Sequence, residues 1–151
     1  IISIYKILSE SFRVRDEMAT PEVSVIEASN YTNVLKSVYE NLDDYVGQTI
    51  CFTGYVYRNS DFEENVFVLA RDMQTSHYNE TLVVGFLSNY KDAKNFENES
   101  WVELTGEITK GTYHGDMPIL KVKEIKQIEK PKDDIYAYPP DDSYVPTSIM
   151  F

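Results

Sequence analysis

The sequence has one cysteine, Cys51, in 151 residues. That excludes an internal disulfide and any site built from several thiolates. It leaves the compartment open, since a reduced cytosol and a cysteine-poor bacterial exterior both permit it. Cations are also scarce: 14 Lys and Arg stand against 25 Asp and Glu, a net charge of −11. Most of the excess lies in residues 21–129, so the part expected to fold is the acidic part. A phosphate-backbone partner calls for clustered Lys and Arg, so nucleic acid is disfavoured, whereas simple solubility or a cationic partner fits. No apolar run approaches the roughly 18–20 residues that span a bilayer. P-loop, nucleophile elbow, HExxH, CxxC and dinucleotide fingerprints are all missing, and the chain reads as non-enzymatic. Residue 1 is Ile rather than Met, which reads as a processed or partial piece with room for a signal peptide or membrane anchor upstream.

What is present points to a folded, β-rich domain. The chain is 42% apolar and 13% aromatic, with twelve tyrosines; tyrosine, valine and isoleucine favour strands. One domain of this length can bury a core of its own. Residues 1–21 read as a peripheral arm ending at Thr20-Pro21, residues 22–129 as the domain, and residues 130–151, punctuated by Pro131, Pro139, Pro140 and Pro146, as an extended Pro/Tyr/Asp-rich tail.

Within the domain, Val23, Val25 and Ala28 alternate as a short strand. Asn30 is placed to cap a helix, because Tyr31, Val34, Leu35, Val38, Leu42 and Tyr45 recur at the 3.6-residue period. The longest clean strand pattern is Gln48–Arg58, with Ile50, Phe52, Gly54 and Val56 on one face and Thr49, Cys51, Thr53, Tyr55 and Tyr57 on the other. Its apolar–any–apolar–Thr–Gly motif recurs at Val102–Ile108. Further strands are expected at Val66–Arg71, Leu82–Leu87, Ser100–Thr109 and Met117–Ile128, with a short helix or turn around Tyr90, Ala93 and Phe96. A glycine inside a strand is best explained by a sharp bend or bulge at a barrel corner. The expected architecture is therefore mainly β with minor α: an OB-like, five-stranded antiparallel barrel, with the N-terminal strand and helix packed on it.

Three groups of residues merit a chemical reading. Tyr55, Tyr57, Arg58 and Arg71, on or beside the first two strands, form the first, a candidate ligand or partner surface. OB folds stack ligands there. Tyrosines so placed equally suit covering structure or a protein interface, and the arginines can pair with Asp61, Glu63 and Glu64. His77, Glu80, His114 and Asp116 are the one imidazole–carboxylate set from which a zinc site could be assembled. The same residues also read as exposed loop positions, Gly115-Asp116 being ordinary hairpin types. Cys51, between Ile50 and Phe52 in mid-strand, reads as a packed, inert thiol.

Two stretches, Asp44-Tyr45-Val46-Gly47 and Phe52-Thr53-Gly54-Tyr55-Val56-Tyr57-Arg58, resemble the soluble C-terminal domain of a bacterial family of membrane proteins without an established activity. These are described as subunits of two-component membrane permease complexes. The likeness continues through Phe67–Arg71, Val84–Leu87, Trp101–Gly106 and Lys121–Ile128, and covers roughly residues 22–140. The resemblance implies transmembrane helices ahead of this domain in the parent protein, an integral-membrane permease partner, and membrane tethering, with the extracytoplasmic side favoured. Where relatives carry a Cys-Cys pair and a nearby Asp, this chain has Ser76, His77 and Glu80, so a thiol site does not carry over. The expected function is a non-enzymatic accessory domain of a permease complex subunit, acting by protein interaction or small-ligand sensing. The alternatives are an oligonucleotide- or oligosaccharide-binding OB module and a His/carboxylate metal-binding domain.

Overall fold

The structure is a computed structural model that describes residues 23–75, 80–112 and 115–141. In chain order the elements are β1 (Val23–Val25), α1 (Tyr31–Glu40), α2 (Leu42–Tyr45), β2 (Thr49–Tyr57), β3 (Val66–Gln74), β4 (Thr81–Asn89), β5 (Trp101–Thr112), β6 (Asp116–Gln127) and β7 (Tyr136–Ala137). Single 3-10 turns sit at Ala28–Asn30 and Ala93–Asn95.

Five strands close on themselves in the order β2-β3-β4-β6-β5, with β5 returning to β2. Four of the five seams are antiparallel; the fifth, β4 against β6, is parallel over Leu87–Asn89 and Ile119–Lys121. The expected five-stranded OB-like barrel is present, and it is mixed rather than wholly antiparallel. The parallel seam follows from the connectivity, since hairpins join β3 to β4 and β5 to β6 while the Asn89–Ser100 connection crosses the barrel. Two strands lie outside the ring: β1 runs parallel to β2, and β7 runs parallel to β3.

The inward face of β2 is the expected one. Ile50, Phe52 and Val56 are buried and meet Leu69, Phe86, Leu104, Ile108 and Leu120 from the other strands. Of the two glycines in the repeated motif, Gly54 sits where a side chain has no room, while Gly106 is merely tight, the nearest atom to its Cβ position being the Lys121 carbonyl oxygen at 3.2 Å. A Cβ on Gly54 would lie 2.6 Å from the Ala70 carbonyl oxygen, and Gly106 stands at the register shift between β5 and β6. Gly85 on β4 is tighter still, its Cβ position 2.0 Å from the Leu69 oxygen.

Helix α1 plugs the barrel with the stripe read from its period. Tyr31, Val34 and Val38 are buried, and Tyr45 of α2 extends the stripe. The Tyr31 hydroxyl donates to the Leu69 carbonyl at 2.6 Å, and its ring lies 5.4 Å from that of Phe52. Burial pushes the Tyr31 phenol well above the usual tyrosine range. Asn30 stands at the helix start but makes no side-chain cap to the backbone; its Oδ1 instead accepts from Asn33 Nδ2 at 3.2 Å. The helix breaks at Asn41, and Gly47 at φ +97° turns the chain into β2, a conformation that suits glycine.

Residues 130–141 belong to the barrel's packing through β7. Ala137 is fully buried, Thr32 Oγ1 donates to the Tyr138 carbonyl, and the Asp141 amide donates to Asn33 Oδ1 at 2.8 Å. A two-residue strand carries no periodicity that a sequence could reveal. The arm at residues 1–21 and the tail beyond 141 lie outside the described residues.

Candidate functional site

The site arises where one seam of the barrel comes apart. β3 pairs with β2 at Val68, Leu69 and Ala70, then leaves it; from Asp72 onward that edge of β3 pairs with β7 instead. Arg71 stands at the fork. Its Nε donates to the Thr53 carbonyl at 2.9 Å, one terminal nitrogen to Thr53 Oγ1 at 2.6 Å, and the other to the Asp134 carbonyl on the approach to β7. The guanidinium thus replaces the missing ladder bonds, tying β2 and the tail to β3. It lies 5.2 Å from the centre of the Trp101 ring and is only 4% exposed. Burial lowers its pKa from the ordinary arginine range, opposed by the nearby Tyr31 and Asp134.

Between the parted strands opens a cleft of about 690 Å³. β2 brings Tyr55 and Tyr57 to one side, β3 and β7 bring Asp72 and Tyr136 to the other, and Glu99 and Trp101 come from the entry to β5. Lys130 reaches the same space from the start of the tail. The Tyr55 hydroxyl donates to Asp72 Oδ1 at 2.5 Å, and the Tyr55 and Trp101 rings lie 6.0 Å apart. Desolvation, and then the bond to Asp72, push the Tyr55 phenol well above its usual range. Among the described residues, Glu99 (φ 73°) and Asp134 (φ 56°) are the two non-glycine positions with positive φ. One lines the cleft and the other directly precedes its Ile135–Tyr136 wall. Such backbone costs about 1–2 kcal/mol per residue and persists where surrounding structure demands it.

Against the expected residues, the outcome divides. Tyr55 and Tyr57 are brought together in the cleft. Arg58 and Arg71 are not, and the picture of an aromatic–arginine platform is corrected. Arg71 is buried beneath the site because it completes the barrel seam. Arg58 is half-buried and donates to the carbonyls of Ala93 and Phe96, bracing the turn that leads to β5. Neither arginine uses the Asp61, Glu63 and Glu64 cluster in these bonds; Glu64 lies 3.8 Å from Lys94. Carboxylates therefore stand where the sequence pattern suggests guanidinium groups.

Of the proposed metal set, His77 and His114 lie outside the described residues. Glu80 and Asp116 sit on two different hairpins, β3–β4 and β5–β6. Among the described residues no group of three or more His, Cys, Asp or Glu side chains gathers as a metal would require. Cys51 is half-buried in mid-β2, opposite Thr105.

Asp72, Glu99, Trp101 and Tyr136 join the site without having been expected there. Strand alternation was the available signal for Asp72, since Arg71 facing inward turns its neighbour outward. No local pattern connects Glu99 or Tyr136 to β2, because the tail and the β5 entry reach the cleft only through tertiary packing.

The DUF1980 C-terminal domain family matches residues 7–139. The chain belongs to this family. The match takes in the residues from Asp44 through Lys121–Ile128 that carried the resemblance, and it supports a family domain there without speaking to a permease context. Among curated proteins, this DUF1980 C-terminal domain is similar to the UPF0703 protein YcgQ of Bacillus subtilis (strain 168), at 22% identity over 120 residues. The alignment takes in 78% of this chain and 41% of the relative, so the chain spans less than half of that protein. Among solved structures, it is similar to the mitochondrial single-stranded DNA binding protein Rim1 of S. cerevisiae. That likeness has a TM-score of 0.36 at 12% identity, over 57% of this chain and 99% of Rim1. The asparaginyl-tRNA synthetase of Entamoeba histolytica gives 0.39 at 15%, over 83% of this chain and 28% of the synthetase. Likenesses at these scores carry no argument about ligand or activity. Among the described residues of this DUF1980 domain, no helix is long and apolar enough to cross a membrane.

Proposed function

We propose that this chain is a non-enzymatic accessory domain of a membrane permease complex subunit, and that it works by binding at the Tyr55–Trp101–Tyr136 cleft. The observation that carries the binding reading is the cleft itself. Concave sites with aromatic walls and a few placed polar groups are the usual form of a small-ligand or side-chain pocket. Here the walls are fastened from behind by a buried arginine and a strapped tail, so the rings are held in place before any ligand arrives. Among the described residues the lining offers carboxylates, phenols and one ammonium, with no thiol or imidazole nucleophile beside a base. The membrane setting rests on the family resemblance alone.

The test is co-purification of the full-length parent protein from membranes, with and without the substitution Tyr57→Ala. Recovery of an integral-membrane partner that is weakened by the substitution supports the reading. A parent without membrane spans, from which no membrane protein is recovered, removes the permease context.

A second reading, an oligosaccharide-binding module, is favoured by the aromatic walls on the outer face of the barrel strands that OB folds use. An oligonucleotide is less well served, because stacking on single strands normally works inside a basic groove. Here Asp72 and Glu99 face one Lys130.

A further inference from the structure

The cleft has an unbalanced lining, and the imbalance narrows what it takes. We propose that it binds a small organic cation, a compound bearing an alkylated ammonium group, between the tyrosine rings and the carboxylates of Asp72 and Glu99. This deepens the binding reading given above and rests on it.

Aromatic faces attract cations through the ring quadrupole, and cages of such rings are how proteins take quaternary ammonium groups. The cleft supplies Tyr55 and Tyr57 from β2, facing Tyr136 from β7 across the fork. Trp101 is less available, since Arg71 already lies over its ring at 5.2 Å and would repel a second cation there. The tyrosines therefore take the cation, and Trp101 forms an apolar wall. Asp72 accepts the Tyr55 hydroxyl with Oδ1 at 2.5 Å, which fixes the carboxylate at the cleft. Glu99 comes to the cleft from the turn that enters β5, closed by the Ser100 amide donating to the Glu97 carbonyl at 3.1 Å. Lys130, exposed at the start of the tail, opposes them as the single ammonium among the described residues of the lining. Among the described residues, two carboxylates against one ammonium leave the cleft lining negative, with the Arg71 guanidinium behind it at Trp101, within a chain of net charge −11. A neutral sugar would gain nothing from that balance, and a phosphate would be repelled by it.

Trp101 is the sole tryptophan of the sequence, so its fluorescence reports on this cleft alone. The full chain is titrated with choline, with its uncharged carbon isostere 3,3-dimethylbutan-1-ol, and with maltotriose, at low salt. Choline should give a saturable change in emission and bind at least about tenfold more tightly than the isostere. Glu99→Gln keeps size and backbone while removing charge, and should weaken choline by about three- to tenfold. Lys130→Gln, at an exposed position, should tighten it by a similar factor. Equal binding of choline and the isostere, or binding of maltotriose with none of choline, overturns the cation assignment and leaves the cleft as a binding site. No response to any probe also overturns the assignment, while a partner still lost on Tyr57→Ala keeps the interaction reading. Opposite effects of Glu99→Gln and Lys130→Gln cannot come from misfolding, and their absence sinks the proposal even if choline binds.

Discussion

Arg71 offers the sharpest test of how this barrel is held together. Arg71→Met keeps the aliphatic stem and removes the guanidinium, leaving the Thr53 carbonyl, Thr53 Oγ1 and the Asp134 carbonyl without their donor. Hydrogen bonds from a charged group contribute about 1.5–3 kcal/mol each, and stacking over a desolvated tryptophan adds about 1–2. These terms share one side chain and do not add. Part is also returned, because the buried cation no longer has to be desolvated, the effect that lowers its pKa in the fold. A net loss of about 3 kcal/mol follows, and at roughly 2–4 °C per kcal/mol for a chain of this size the Tm falls by about 6–12 °C. Urea unfolding followed by Trp101 emission measures the first quantity, and calorimetry the second. A second readout separates the seam from general destabilisation: the tail should open locally, and trypsin should cut after Lys132 about fivefold faster under native conditions. Arg71→Lys retains charge but cannot reach two separate carbonyls with a planar fork, so it should recover less than half of the loss. If Arg71→Met stays within about 0.5 kcal/mol of the parent and Lys132 stays protected, the guanidinium does not close the seam.

The remaining predictions follow from single contacts. Gly54→Ala and Gly85→Ala force a Cβ to 2.6 and 2.0 Å from backbone carbonyl oxygens that cannot retreat, and each should cost about 2–3 kcal/mol or more in urea unfolding. Gly111→Ala meets the Ile119 side chain rather than backbone, at 2.2 Å from Cδ1 and 2.9 Å from Cγ1, and a rotamer change should hold the cost below that at Gly54 and Gly85; equal costs at all three positions would refute the distinction. The phenols of Tyr31 and Tyr55 are raised in the fold by burial. Their stabilising contribution is full below the unfolded tyrosine pKa of about 10, and is lost as pH climbs from there toward the folded values. Unfolding free energy should therefore decline above about pH 10, by up to about 1.4 kcal/mol per pH unit for each tyrosine that stays protonated. Tyr31→Phe should flatten that slope, and an unchanged slope would show that Tyr31 titrates freely.

Much of the barrel was legible because its parts announce themselves locally. The alternation of Ile50, Phe52, Gly54 and Val56 defines an inward face without reference to any other strand. The recurrence of the Thr-Gly motif at Gly106 points to a second bend, and a register shift stands there. The stripe from Tyr31 to Tyr45 needs only the helical period to show which side is buried. The site was half legible. Tyr55 and Tyr57 stood out as aromatic residues on the outward face of a strand, and both line the cleft. Arg71 was misplaced because an arginine in a strand is ordinarily a surface residue, and only a broken ladder gives it reason to be inside.

The amino-acid pattern alone thus determined a five-stranded β barrel with a strand and helix packed on it, since periodicity and glycine placement are properties of neighbours in sequence. Tertiary structure alone decided where that barrel opens and what lines the opening. The parting of β2 from β3 after Ala70, the strap of Tyr136–Ala137, and the arrival of Glu99 beside Tyr57 join segments with no shared period. Their meeting depends on how the ring of strands closes, and that is a property of the whole fold.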